Sequence, residues 1–151
     1  MGSAQDVSVY FQSSIPRLAN ISTRMRVLTG ADVMIAGFII QGNAPKTVVV
    51  RARGPSLTQS GVPAVLGNPY LQLFSGATEI ANNDEHANGP YAAQVAASGF
   101  APSNQLEAAI LKRLDPGAYT AIVSGAGGST GVALVEVFGR HRSPPCESAV
   151  L

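Results

Sequence analysis

Oxygen-bearing side chains are densest in one run of this sequence, Asn82-Asn83-Asp84-Glu85-His86. Ca²⁺ takes about six to eight oxygen ligands from carboxylates, amide side chains and carbonyls. Asn82, Asp84 and Glu85 could supply part of such a shell. The spacing matches no EF-hand loop, however, and no second acidic run is present to complete the shell. The run is therefore predicted to be a polar surface loop, with calcium at these three residues as the alternative.

The glycine-rich run Gly125 to Gly131 has the composition of a phosphate-binding loop but lacks its chemistry. A P-loop needs a lysine before its Ser or Thr, and a dinucleotide-binding loop needs glycine at the sixth position, which is Thr130 here. Nucleophilic catalysis is also disfavoured, because His141 and Cys146 share a proline-containing tail that cannot hold a base in place. Two histidines and one cysteine do not fill a structural zinc site. The sequence predicts no enzyme and no cofactor.

Four arginines lie at alternate positions of two predicted strands: Arg24, Arg26, Arg51 and Arg53. If the two strands are neighbours, these side chains form a cationic stripe. Arginine pairs well with carboxylates, so the stripe could dock acidic groups of a neighbouring subunit or an anionic polysaccharide. The alternative is a solvated face whose charges are countered by Glu107, Glu136 or nearby carbonyl groups.

The overall composition excludes several classes of protein. The chain has 151 residues, enough for one domain, and its 46% hydrophobic and 13% charged residues are the opposite of a disordered composition. A net charge of +1 gives no basic surface for nucleic acid. No apolar run is long enough for a membrane span. The scarcity of charge fits either a polar but uncharged secreted domain or a surface buried against other copies.

Two-residue alternation dominates the chain and predicts eight strands in its body. They cover residues 21–28, 33–41, 47–53, 70–74, 78–81, 107–114, 118–124 and 132–138. Such short strands separated by Gly and Pro turns predict an all-β fold, an antiparallel β-sandwich or jelly roll with an extended N-terminal strand.

Three of these segments carry more specific expectations. Residues 33–41 are apolar on both faces, which predicts a strand covered on both sides. Residues 107–114 also fit a helical spacing, but the tight turn at Asp115-Pro116-Gly117 favours a strand that pairs with 118–124. Residues 91–97 are predicted to form one or two helical turns ended by Gly99.

The N-terminal arm, residues 1–16, precedes a body at 17–139 and a tail at 140–151. Between Asp6 and Gln12 it alternates, with Val7, Val9 and Phe11 on one face and Ser8, Tyr10 and Gln12 on the other. Such a strand can pair with its own sheet or with that of a neighbour. In the second case each copy gives one strand and accepts one, a head-to-tail contact that builds filaments. Val7, Val9, Tyr10 and Phe11 are, with the four arginines, the predicted subunit-interface residues.

Several stretches resemble a module that recurs in secreted bacterial proteins. They are Leu18-Ala-Asn-Ile-Ser-Thr-Arg24, Thr29-Gly-Ala-Asp-Val-Met-Ile-Ala-Gly-Phe-Ile-Ile40, Val50-Arg-Ala-Arg-Gly-Pro-Ser-Leu57, Pro116-Gly-Ala-Tyr-Thr-Ala-Ile-Val-Ser-Gly125 and Thr130-Gly-Val-Ala-Leu-Val-Glu-Val137. The stretch from Leu71 to Asp84 and the Pro-Gly-Ala-Tyr-Thr segment are also similar to pre-peptidase C-terminal β-sandwich domains. The resemblance implies an extracellular, non-catalytic sandwich and brings no catalytic residues.

Three functions remain open from the sequence. The leading one is a secreted or cell-surface structural subunit that associates with copies of itself, most simply as a filament. The second is a carbohydrate-binding or adhesive module for a surface polysaccharide, with Tyr70, Phe74 and Tyr91 as its aromatic candidates. The third is an accessory domain of an enzyme. Nucleic acid is not an expected partner in any of them.

Overall fold

A computed structural model of the chain describes residues 21–140. The eight predicted strands are all present, and most of their bounds agree within one or two residues. They are β1 (Ile21–Val27), β2 (Met34–Ile40), β3 (Lys46–Arg53), β4 (Pro69–Ser75), β5 (Thr78–Asn83), β6 (Ala108–Leu114), β7 (Gly117–Gly125) and β8 (Gly131–Arg140). One short helix, α1 (Ala92–Ser98), and two 3₁₀ turns, Pro55–Ser60 and Ala126–Gly128, lie between them.

The strands form two four-stranded sheets, ordered β1-β8-β3-β6 and β2-β7-β4-β5, with antiparallel neighbours throughout. The hairpin-like pairs are nested: β1 with β8, β2 with β7, β3 with β6, and β4 with β5. Nested pairing of this kind is the jelly-roll arrangement of a β-sandwich. The predicted fold class is therefore confirmed for the part of the chain that the structure describes.

The core lies between the sheets and is built from the inward side of the alternating strands. Its largest fully buried apolar side chains come from both sheets and from the loop before β4: Met34, Ile40, Leu66, Leu71, Leu73, Ile110, Val27, Val48 and Val50. Small residues such as Ala108, Ala121 and Ala133 fill the remaining inward positions. The apolar positions of the alternating strands thus form the inner faces of the two sheets.

The expected pairing of β6 with β7 is wrong. β6 pairs with β3, from Lys46 opposite Leu114 to Ala52 opposite Ala108, whereas β7 pairs with β2 and β4. The two residues between β6 and β7 carry the chain from one sheet to the other, and Gly117 at φ 151° permits this crossing. The glycine-rich run Gly125 to Gly131 is predicted from the sequence to be a hairpin loop, and this is also wrong, because β7 and β8 belong to different sheets.

The expected burial of β2 on both faces is also wrong. β2 is the edge strand of its sheet, and Ile35 and Ile39 on its outer face are 56% and 64% exposed. Met34, Phe38 and Ile40 on the other face are buried in the core. Both faces of β2 are therefore hydrophobic, but only its inner face is buried within residues 21–140.

The predicted helical turns are confirmed as α1, which ends at Gly99 in the left-handed conformation. α1 packs against β6 on the outer side of its sheet, where Val95 is buried. Phe100 follows the helix and stacks on Phe138 of β8, with 4.4 Å between ring centroids. No helix within residues 21–140 has the length and apolarity that a membrane span requires.

Candidate functional site

One side of the sandwich is formed by the edge strands of both sheets, β1 and β2, which lie next to each other. Among residues 21–140, β1 pairs only with β8 and β2 pairs only with β7. An edge strand presents a row of unpaired backbone N–H and C=O groups, which can form a ladder with a further strand. We call this side of the molecule, β1 together with β2, the open edge.

Apolar side chains at the open edge are incompletely covered. Ile21, Thr23 and Met25 lie opposite Val137, Val135 and Ala133 of β8, which belong to the core, so they share its inward side. Ile21 is nevertheless 42% exposed and Met25 is 46% exposed, and only Val27 of β1 is fully buried. Within β1, burial is therefore complete only at its last residue.

The outward side of β1 is basic. Arg24 and Arg26 are exposed, and neither forms an ion pair with any residue that the structure describes. Charges on an edge strand oppose indiscriminate pairing with other strands. A strand that brings a carboxylate to the same face would be accepted more readily, because opposite charges on neighbouring strands attract.

The cationic stripe proposed for the four arginines does not form, because β8 lies between β1 and β3. Leu134 of β8 is opposite Arg24 on one side and opposite Arg53 on the other. The two pairs of arginines are thus separated by two strand spacings, about 10 Å. They belong to two different environments on the same sheet.

Arg51 and Arg53 are held within the subunit. Arg51 Nε donates to Glu136 Oε1 at 2.6 Å, and Arg53 Nη1 lies 3.7 Å from the same oxygen. Arg51 Nη1 donates to the carbonyl of Phe100 at 2.9 Å, and its guanidinium carbon lies 4.7 Å from the ring centroid of Phe138. The alternative expectation, charges countered by a glutamate and a carbonyl group, describes these two arginines.

The calcium candidate residues are spread around the end of β5. Asn82 donates its amide to Glu79 Oε1 at 2.9 Å, and Asp84 is exposed. Partial burial, with a smaller effect from Glu85, raises the pKa of Asp84 above its usual value. Within residues 21–140 no group of three or more His, Cys, Asp or Glu side chains is arranged to hold a metal ion.

Glu107 makes a buried polar contact that the sequence did not reveal. Its Oε2 accepts the N–H of Gly54 at 2.8 Å, the N–H of Ser56 at 3.0 Å and the hydroxyl of Ser56 at 2.7 Å. Its Oε1 and the Nε2 of His86 are buried without a hydrogen-bond partner among the described residues. The only signal in the sequence was a carboxylate directly before the apolar run Ala108 to Leu111.

The remaining predicted interface residues, Val7, Val9, Tyr10 and Phe11, lie outside the described residues, as does Cys146. The structure therefore describes the open edge, whereas the arm is known from its sequence alone. Ile21 and Met25 were not among the predicted interface residues, because alternation alone made them core residues.

Comparison with known proteins identifies no family for this chain. No protein-family model and no curated protein match the sequence. Among solved structures, the chain is similar to the pre-peptidase C-terminal domain of a collagenase from Bacillus anthracis, at 12% identity and a TM-score of 0.48. The match covers 78% of this chain and 88% of that domain. This neighbour is the kind of domain that the sequence resembled, and at this identity and TM-score the likeness carries no further conclusion.

Proposed function

We propose that this protein is a structural subunit that associates with copies of itself by β-strand addition at the open edge. Residues 6–12 of one copy lie alongside β1 of the next. The observation that carries the proposal is the exposure of Ile21 and Met25 on the inward side of β1. A strand added beside β1 would cover them and would pair the edge backbone groups that have no strand partner among residues 21–140.

The arm has the length and pattern that this position requires. Residues 6–12 and β1 each comprise seven residues, so one strand spans the other. Placed with Val7, Val9 and Phe11 inward, the arm adds three apolar side chains beside the two exposed ones of β1. In strand addition, the backbone ladder gives affinity and alternate side chains give specificity.

Charge supports the same placement. Asp6 is the only charged side chain among residues 1–16. Alternation puts Asp6 on the outward face of the arm whenever Val7, Val9 and Phe11 are inward. The outward face of β1 carries Arg24 and Arg26, which form no ion pair within residues 21–140, so the added strand brings a carboxylate to the side of these guanidinium groups.

Donation to a neighbour makes the assembly a polymer. Each subunit gives its arm to one neighbour and accepts at β1 the arm of another, so the contact is head-to-tail and extends into a filament unless the subunits close into a ring. The low share of charged residues, 13%, suits a chain with much of its surface against other copies. We place the assembly outside the cell, in keeping with the secreted proteins that the sequence resembles, and assign it no catalytic role.

The proposal is tested by placing a charge on either the inward or the outward face of the arm. The wild-type protein is expected to form large assemblies in size-exclusion chromatography with light scattering and in negative-stain micrographs. Val9→Glu should reduce it to single subunits, because the charge would enter the apolar side of the added strand. Ser8→Glu, the matched control on the outward face, should still assemble.

Deletion of residues 1–14 should abolish the assemblies as well. If the truncated chain forms the same assemblies as the full chain, or if Val9→Glu and Ser8→Glu behave alike, strand donation is incorrect. Circular dichroism of each variant checks that the sandwich body remains folded.

A further inference from the structure

The outer face of the β2-β7-β4-β5 sheet carries a second group of side chains suited to binding. β4 directs Tyr70, Gln72 and Phe74 to this face, and all three are partly exposed. α1 packs on the other sheet, and the exposure of Ile35 and Ile39 marks this face as open. We call the part formed by β4 and β5 the β4–β5 face.

Polar side chains on this face are held in place by a shared carboxylate. Glu79 Oε2 accepts the amide of Gln72 at 2.5 Å, and Glu79 Oε1 accepts the amide of Asn82 at 2.9 Å. Gln72 and Asn82 lie opposite each other on β4 and β5. Each amide keeps a carbonyl oxygen and a second N–H for a ligand, and the carboxylate keeps further acceptor sites.

The charge on this face is acidic only. The four strands of the sheet contain no lysine or arginine, whereas Glu79 and Asp84 lie on or beside β5. Burial, followed by the charges of Glu79 and Asp84, raises the pKa of Tyr70 above its usual value, so its hydroxyl remains a donor at neutral pH. A negatively charged ligand would be repelled here, and a neutral one would not.

We infer that the β4–β5 face binds a neutral polysaccharide, with Tyr70 and Phe74 against sugar rings and Gln72, Glu79 and Asn82 on their hydroxyl groups. Aromatic rings offer apolar area at little cost in conformational entropy, and a charged acceptor makes strong hydrogen bonds to hydroxyls. This function is separate from self-association, because no residue of the open edge that the arm would cover belongs to it.

The spacing of the rings favours a chain of sugars over a single one. Tyr70 and Phe74 are four residues apart on one strand, about 13 Å along β4, with Gln72 midway between them. One sugar cannot reach both rings. Tyr91 does not contribute to this surface, because it packs against the core.

The test uses the full chain and affinity electrophoresis in gels that contain a soluble polysaccharide. The neutral probes are hydroxyethyl cellulose, a mixed-linkage β-glucan and a galactomannan, and alginate is the anionic control. We expect at least one neutral polymer to retard the wild type and alginate to leave it unaffected. Tyr70→Ala and Gln72→Met should each weaken the retarded binding about tenfold, since each removes a direct contact.

Two control variants make the result specific. Ile35→Ser changes the same sheet away from the β4–β5 face and should bind like the wild type. Val9→Glu, which should prevent assembly, should also bind, and this separates the two functions. Gln72→Met conserves side-chain length, so an unchanged unfolding midpoint shows that lost binding is not lost folding.

Three outcomes would overturn the inference. They are no retardation of the wild type by any neutral polymer, equal retardation by alginate, and unchanged binding in both Tyr70→Ala and Gln72→Met. If these two variants instead lose assembly without any polysaccharide binding, the face is a contact between subunits and the inference is again incorrect.

Discussion

Glu107 connects the start of β6 to the turn that follows β3. It is fully buried, and its Oε2 accepts two backbone N–H groups and the hydroxyl of Ser56. Arg53 Nε donates to the same hydroxyl at 3.0 Å. The carboxylate therefore fixes the first turn of Pro55–Ser60, and through Ser56 it reaches the arginine that lies near Glu136.

Glu107→Ala is expected to lower the free energy of unfolding by about 3 kcal/mol, because three buried donors lose their acceptor. Glu107→Gln keeps one oxygen at the position and should cost less than the alanine variant. Chemical denaturation of both variants measures this. An alanine variant within about 0.5 kcal/mol of the wild type would contradict the assigned role.

The face of a strand on which a side chain lies was predictable from alternation, whereas contacts between residues distant in the chain were not. The outward positions of Arg51 and Arg53 followed from the two-residue period of β3. Their partner, Glu136, is 85 residues away from Arg51 in the chain, and Glu107 is 51 residues away from Ser56. Local patterns contain no information on such distant contacts, so Glu107 was expected only as a possible counter-charge.

Among the elements, strand positions could be predicted and strand partners could not. Each strand has its own alternation and its own flanking turns, which are local signals. Pairing depends on nested long-range contacts, so β6 was assigned to the neighbouring β7 although it pairs with β3. The same limitation explains β2, whose two apolar faces concealed its position at an edge.

The loop between β3 and β4 depends on a close approach of two backbones. A Cβ at Gly54 would lie 2.0 Å from the carbonyl oxygen of Leu66, whereas one at Gly67 would meet nothing within 4 Å. Leu66 is itself tied to β8, because its N–H donates to the carbonyl of Val132 at 2.8 Å. This segment therefore closes one end of the sandwich.

Gly54→Ala should destabilise the protein by about 2 kcal/mol or more, because the clash involves backbone that cannot move without loss of packing. Gly67→Ala is the matched control one residue from the site of contact, and it should be nearly neutral. Thermal and denaturant unfolding compare the two. Equal stability of the two variants would show that the approach of Leu66 to Gly54 is not a constraint.

Within residues 21–140, the molecule combines a closed core with an incompletely covered side at β1 and β2. The sequence predicted the sandwich and the alternating arm, both from local periodicity. The incompletely covered edge could not be predicted, because exposure at Ile21 and Met25 follows from the position of β1 at the edge, and this depends on all eight strands. The alternating arm and the exposure of Ile21 and Met25 on β1 together support the proposal that each subunit completes the sheet of its neighbour.

Cross-linking between the arm and β1 tests this claim most directly. A chain with Ser8→Cys and Arg24→Cys, and with Cys146→Ser to remove the native thiol, places both new thiols on the outward side. Treatment with a short bis-maleimide should yield a ladder of covalent polymers on a denaturing gel. Ser8→Cys combined with Gln59→Cys, an exposed position outside the open edge, should yield no ladder. A product cross-linked only within single chains, or no cross-link at all, would contradict strand donation between subunits.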